Sequence, residues 1–176
     1  SRTSKGKTVH NFLEIPIEEK ISAIVAYAPA LAAEPHYLVM VTKNGVIKKT
    51  ALRDFANVRR NGIIAISLRK DDLLRWVKLS SGGEEIILTT SQGQAIRFKE
   101  TQARPMGRGA AGVMAIRLRK DDQVSSLSII RKDLKRARLL VIMERGYGKQ
   151  TPLSQYKTQK RGGSGIKTAK ITAKTG

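Results

Sequence analysis

Cysteine is absent from the 176-residue chain, which removes a disulfide framework, a thiol nucleophile and a zinc ribbon together. Histidine is almost absent: His10 and His36 stand far apart, with no carboxylate cluster beside either. Aromatic residues make up 5% of the chain, too few for the stacking platforms on which single-strand binders lay their bases. The longest apolar stretch, Ala23 to Ala33, is broken by Pro29 and is too short to span a bilayer. No basic amphipathic helix offers itself to a membrane surface, and helical periodicity is weak throughout. No secretory leader opens the sequence, so the expected compartment is the cytoplasm or nucleoid.

Acidic residues are also scarce, with 14 Asp and Glu against 34 Lys and Arg, a formal net charge of +20. The excess is local. Residues 1–36 balance Arg2, Lys5, Lys7 and Lys20 against Glu14, Glu18, Glu19 and Glu34, so the whole surplus lies in residues 37–176. A surplus of that size repels itself and favours a polyanionic partner. Charge without stacking groups favours the duplex backbone, read with little sequence preference.

What the chain has in abundance is repetition. Leu68-Arg69-Lys70-Asp71-Asp72 recurs unchanged as Leu118-Arg119-Lys120-Asp121-Asp122 about fifty positions later. Three apolar runs lead the units: Tyr37 to Val41, Glu85 to Thr89 and Leu139 to Met143. They are continuous, as expected of strands buried on both faces. Each meets a turn at Asn44-Gly45, Gln92-Gly93 or Arg145-Gly146, followed by a short strand: Val46 to Thr50, Ala95 to Phe98, Tyr147 to Thr151. Second glycines follow at Gly62, Gly112 and Gly165, with Gly6 opening a truncated copy. Alternating strands are predicted after them at Ile63 to Leu68, Val113 to Leu118 and Ile166 to Ile171, and further strands at Ile21 to Tyr27, Leu73 to Leu79 and Val124 to Ile130. Four strands in about fifty residues is the size of a propeller blade. The expected fold is all-β, a partial ring of propeller-like blades. Its units run approximately over 1–36 (partial), 37–83, 84–136 and 137–176 (partial).

Two glycine strings imitate nucleotide motifs. Gly107 to Gly112 spells GxGxxG, but a dinucleotide site needs a helix next and a strand pattern follows. Gly162 to Thr168 fails the phosphate-loop spacing, because Ile166 separates Gly165 from Lys167. Across units the same loops make a coherent set, each basic before its second glycine: Arg2 and Lys5; Arg59 and Arg60; Arg104 and Arg108; Lys160 and Arg161. Glycine lets a backbone approach phosphate and arginine forks onto its oxygens, so these eight are candidate DNA contacts. A secondary set, Lys48, Lys49, Arg97 and Lys149, lies on the hairpins; its bland alternative is the solvent-facing side of a short strand. Asp71-Asp72 and Asp121-Asp122 read as turn chemistry rather than a duplicated metal site. Trp76, Phe55 and Phe98 read as core.

Several stretches together carry a family resemblance: Arg2 to Gly6, Thr42 to Thr50, Met106 to Arg108, Gly146 to Pro152, and Gln159 to Thr168. They resemble the C-terminal domain of DNA gyrase A subunits, over essentially the whole chain, with the corresponding domain of topoisomerase IV as the near relative. The resemblance implies a six-bladed β-pinwheel whose blades exchange strands and whose basic rim wraps duplex DNA with a positive crossing. It implies a non-catalytic part of a bacterial, ATP-dependent type II topoisomerase. The partners would be the remaining domains of the gyrase A chain, together with gyrase B, in an A2B2 complex. No cofactor is expected in this chain; ATP and magnesium belong to other parts. The family's box, Gln-Arg-Arg-Gly-Gly-Lys-Gly, has a degenerate copy at Gln159 to Gly165, departing at Lys160 and Ser164. Tyr27, Tyr37, Tyr147 and Tyr156 are not assigned the cleavage role. The rival expectations are a protein-binding propeller scaffold, with exposed apolar patches, and a cofactor enzyme, with a helix after Gly112.

Overall fold

The computed structural model describes residues 4–59, 61–134 and 136–176. Ten strands follow in order: β1 (Tyr37–Thr42), β2 (Val46–Ala51), β3 (Leu74–Ser80), β4 (Glu85–Thr90), β5 (Gln94–Lys99), β6 (Val113–Met114), β7 (Val124–Ile130), β8 (Arg138–Ile142), β9 (Gly148–Pro152) and β10 (Ile166–Lys167). Short 3-10 turns separate some of them, and no α-helix occurs among the described residues. The three predicted hairpins are therefore present, as β1–β2, β4–β5 and β8–β9. Their turn glycines Gly45, Gly93 and Gly146 take positive φ, the backbone shape that two-residue hairpin loops demand.

The sheets show why the copies cohere. The first has strand order β3-β1-β2-β6 and the second β10-β5-β4-β7; β8 and β9 form a pair by themselves. In each four-stranded sheet one edge strand comes from beyond the next hairpin. β6 follows β5 in the chain yet pairs with β2, through Val46↔Met114 and Ile47↔Val113. β10 follows β9 yet pairs with β5, through Ile166↔Ala95 and Lys167↔Gln94. The units that hold the second and third hairpins thus each lend a strand to their predecessor. Gly112 and Gly165 open the lent strands, and a Cβ there would lie 2.6 Å from Ile47 O and 2.4 Å from Ala95 O. The glycines are needed so that one backbone can lie on another.

The main core fills the space between the first two sheets: Val39, Val41 and Ile47 meet Ile86, Leu88, Ile96, Phe98, Ile116 and Leu127. Trp76 packs against it. A smaller cluster, Ile87, Ala95, Ile130, Leu153 and Tyr156, joins the second sheet to the third. β1 and β4 are buried on both faces as expected. β8 is not: Leu140 and Ile142 are exposed, Ile142 by 68%, because β8 and β9 have no third strand among the described residues.

The repeated Leu-Arg-Lys-Asp-Asp segments form the same turn twice. Asp71 and Asp121 take φ of 59° and 58°. The carboxylate oxygen of Asp72 accepts hydrogen bonds from the backbone N–H of Asn44 (3.0 Å) and Leu73 (2.8 Å). That of Asp122 accepts from Gln92 N–H and Gln123 N–H, both at 2.9 Å. Each second aspartate thereby ties its turn to the tip of a hairpin. Turn chemistry accounts for both carboxylate pairs.

Four predicted strands are corrected. Ile63 to Leu68 forms no ladder; it lies against the loop after Gly107, with Ser67 N–H donating to Ala110 O at 3.2 Å. Ile21 to Tyr27 also pairs with nothing among the described residues, and Ile24 is 84% exposed. Val113 to Leu118 is regular only over β6, because it is then shared between neighbours. Ala115 N–H donates to Gly45 O at 2.7 Å, and Arg117 N–H donates to Gly163 O at 2.9 Å. Ile166 to Ile171 is likewise regular only over β10, after which Thr168 N–H donates to Gly93 O at 2.8 Å. A strand that serves two neighbours cannot stay in one ladder.

Candidate nucleic-acid interface

The crossings between units place the basic loops. After β2 the chain turns through Leu52–Phe55 into the loop that carries Arg59; after β5 it turns through Glu100–Gln102 into the loop that carries Arg104 and Arg108. Arg59 and Arg108 come together, lining one cleft of about 790 Å³ whose walls include Arg53, Asn57, Asn61 and Ser67. No hydrogen bond or ion pair engages either guanidinium among the described residues, so both are free to meet an anion. Arg104, Lys5, Lys149 and Lys160 are exposed and similarly unengaged. Gly107 and Gly109, flanking Arg108, have open space where a side chain would stand. Arg2 and Arg60 lie outside the described residues.

Arg161 sits on the other flank of the Arg104–Arg108 loop. Its Nε donates to Gln102 O at 3.2 Å, one terminal nitrogen donates to Met114 O, and its backbone N–H donates to Gln102 Oε1 at 2.7 Å. The guanidinium of Arg161 is therefore largely spent on joining neighbouring loops. Arg59 and Arg108 thus share one crossing and Arg161 stands at the next, and among the described residues only the first two present a free fork.

Three of the hairpin cations expected as DNA contacts, Lys48, Lys49 and Arg97, are corrected: they are turned inward. Lys48 has no exposed surface, and Lys49 is also buried. Every residue of β2 except Ala51 is buried, so both of its faces are covered and a lysine there has no open side. The Lys48 ammonium donates to Ala65 O at 2.7 Å and to Arg108 O, and burial lowers its pKa. Lys49 pairs with Glu100 at 3.3 Å and rests over the Tyr37 ring, 4.9 Å from its centroid. Arg97 is half-buried, forks onto Glu85 and donates to Leu153 O at 2.8 Å and Tyr156 O at 3.2 Å. It binds β5 to the turn of the following unit. Only Lys149 of this set is exposed.

The acids that balance these cations are tuned by their surroundings. Burial raises the Glu100 carboxyl above its ordinary value, offset in part by Ser80 and Lys49. Burial acts the same way on Glu84, but hydrogen bonds from Ser81 and Ser80 together outweigh it and hold Glu84 at about 2. Ser80 Oγ touches both carboxylates, 2.7 Å from Glu84, and its single proton serves only one of them at a time. Glu85 is lowered: burial is outweighed by the hydrogen bonds from Arg97 and Thr158 and by the charges of Arg97 and Lys99.

Sequence reasoning missed Arg53, which joins the cations of the cleft from a 3-10 turn rather than from the glycine loop. It also missed Gln102, whose amide and backbone hold Arg161. Neither lies beside a repeated glycine. The strand β6 after Gly112 leaves the GxGxxG string without the helix that pyrophosphate binding needs. Among the described residues no helix is long and apolar enough to cross a membrane.

A sequential array of strand-exchanged, propeller-like blades with basic crossings defines the class. A family model described as the DNA gyrase C-terminal domain, beta-propeller, matches residues 36–81, 84–131 and 138–174, and the chain belongs to that family. It is 46% identical over 176 residues to the DNA gyrase A protein of Staphylococcus aureus (strain NCTC 8325 / PS 47), covering all of this chain and 20% of that protein. The chain thus spans about a fifth of the length of the curated relatives it matches. Among solved structures, the C-terminal domain of DNA topoisomerase IV superposes with a TM-score of 0.83 at 28% identity, over 92% of this chain and 49% of the other. The DNA gyrase A C-terminal domain superposes with a TM-score of 0.79 at 22% identity, over 99% and 57%.

Proposed function

We propose that the chain is a non-catalytic, DNA-wrapping module of a bacterial type II topoisomerase. The observation that carries this reading is the pairing of the free guanidinium groups of Arg59 and Arg108 in one cleft at the crossing between successive blades. Exposed Arg104, Lys149 and Lys160 extend the cationic path along the array. The partner is double-stranded DNA, held by its phosphates without base readout. Bending a duplex over a curved rim costs on the order of 1–6 kcal/mol for 20–30 base pairs, so many phosphate contacts are required to offset it. In the holoenzyme the wrap would present a crossing for ATP-dependent strand passage by the other domains of the gyrase A chain together with gyrase B, in an A2B2 complex. ATP and magnesium would act there, in the cytoplasm and at the nucleoid. The repeat units over 1–36, 37–83, 84–136 and 137–176 belong to the same reading, each of the last three contributing one hairpin.

The test is duplex affinity against salt. Neutralising about eight phosphates gives a slope of log K on log salt near −7, and a flat response removes the reading. A decatenating topoisomerase IV is the second reading, favoured by the superposition on that enzyme's C-terminal domain at 28% identity. The 46% identity to a gyrase A protein favours the first. Negative supercoiling by the assembled enzyme supports gyrase, and decatenation without it supports topoisomerase IV.

A further inference from the structure

We infer that Lys48 is a positioning residue for DNA contact, fixing the cleft in which Arg59 and Arg108 meet; this rests on the DNA-wrapping reading. The two walls of that cleft are different pieces of chain. One is the segment from Asn61 through Gly62 to Ser67, which has no sheet partner among the described residues; the other is the loop over Arg104 to Ala110. Backbone carbonyls of both walls, Ala65 O and Arg108 O, point at the same spot. Two acceptors cannot bond each other, and a donor between them is needed to hold them together. The Lys48 ammonium supplies it, reaching up from β2 beneath the cleft and donating to both. A charged donor makes the stronger kind of hydrogen bond, and the site is shut from solvent.

The seam continues at the surface, where Ser67 N–H donates to Ala110 O and Ser67 Oγ donates to Gly109 O at 2.7 Å. The residue bonded through its carbonyl, Arg108, is the one whose guanidinium is free. Lys48 itself is fully buried and cannot reach a phosphate. Its effect on DNA must therefore pass through the orientation of the loop. The same register position after the turn glycine is Ile96 in the second sheet and Lys149 in the third hairpin, where the lysine is exposed and unengaged, so among the described residues the device occurs at the first crossing alone.

The experiment is a double-mutant cycle on duplex affinity in the full 176-residue chain, using Lys48→Met, Arg108→Ala and the pair. Methionine keeps most of the volume of the stem and removes the donor. We expect Lys48→Met alone to weaken binding about tenfold and to reduce the salt slope by about 0.9, as though one phosphate contact were lost. Added to Arg108→Ala, it should change affinity less than about twofold. Losses that multiply in the pair, or affinity unchanged in Lys48→Met, would overturn the inference. Circular dichroism checks that the variant folds; if it does not, Ser67→Ala at the exposed end of the seam carries the cycle, with a roughly two- to threefold loss that vanishes in the Arg108→Ala background. Should the unaltered chain fail to bind duplex DNA, the functional reading falls. Should it bind, with Arg108→Ala weakening it and the seam variants silent, only this inference falls.

Discussion

Arginine and lysine are used in two ways here, and their partners separate the uses. Arg97 is bound by Glu85 and two carbonyls, Lys49 by Glu100, and Arg161 by Gln102 and Met114, whereas the Arg59 and Arg108 side chains are free among the described residues. Arg59→Ala and Arg108→Ala should each lower duplex affinity and reduce the salt slope by about 0.9 while leaving the melting temperature unchanged, as a titration at several salt concentrations would record. Arg97→Ala should do the reverse, costing about 2 kcal/mol of stability by leaving the half-buried Glu85 without its main cation, read by urea unfolding. The glycines divide similarly. Gly112 takes φ of 91° with a Cβ position 2.6 Å from Ile47 O, whereas Gly107 has open space around it. Gly112→Ala should lower the melting point markedly, and Gly107→Ala should leave it unchanged.

The hairpins are legible in the sequence because each combines a continuous apolar run with a turn glycine, a strong local signal. Strand exchange is not legible in the residues themselves: nothing in Val113-Met114 says that its ladder lies on Val46-Ile47 rather than in its own unit. Alternation after Gly62 predicts a strand but cannot supply a partner, and none is there among the described residues. Lys48 and Lys49 look exposed in the sequence because charge is the usual mark of a solvent-facing strand, and their burial follows only from distant chain laid over β2, at Ala65 and Arg108 for Lys48 and at Glu100 and Tyr37 for Lys49. Conversely, the repeated Asp71-Asp72 and Asp121-Asp122 pairs are legible as turns, since recurrence is itself the signal. Glu84, in the turn after β3, and Glu85, which opens β4, share the acid dependence of the fold. Glu84 is held at about 2 and so contributes stability above its unfolded value, lost progressively as pH falls from about 4.5 to 2. Glu100 has the opposite sign: its raised pKa adds stability at low pH that disappears as pH rises through its folded value. Thermal melts over the acid range should therefore show a decline that Glu84→Gln makes shallower, the remainder belonging to Glu85.

As a whole, the molecule joins successive hairpins by lent strands, and the Arg59 and Arg108 side chains meet at the crossing between the first two. Linkage of this kind makes the spacing of the free arginines a property of the fold rather than of flexible loops. It also gives the net charge of +20 a surface on which to act collectively. The central claim is that this surface curves a duplex around itself. The most direct measurement binds the chain to relaxed circular DNA, treats the complex with a relaxing topoisomerase, and removes the protein. The account predicts a shift to positive linking difference that grows with bound protein and disappears at high salt. An unchanged linking number at saturating, salt-sensitive binding would contradict it.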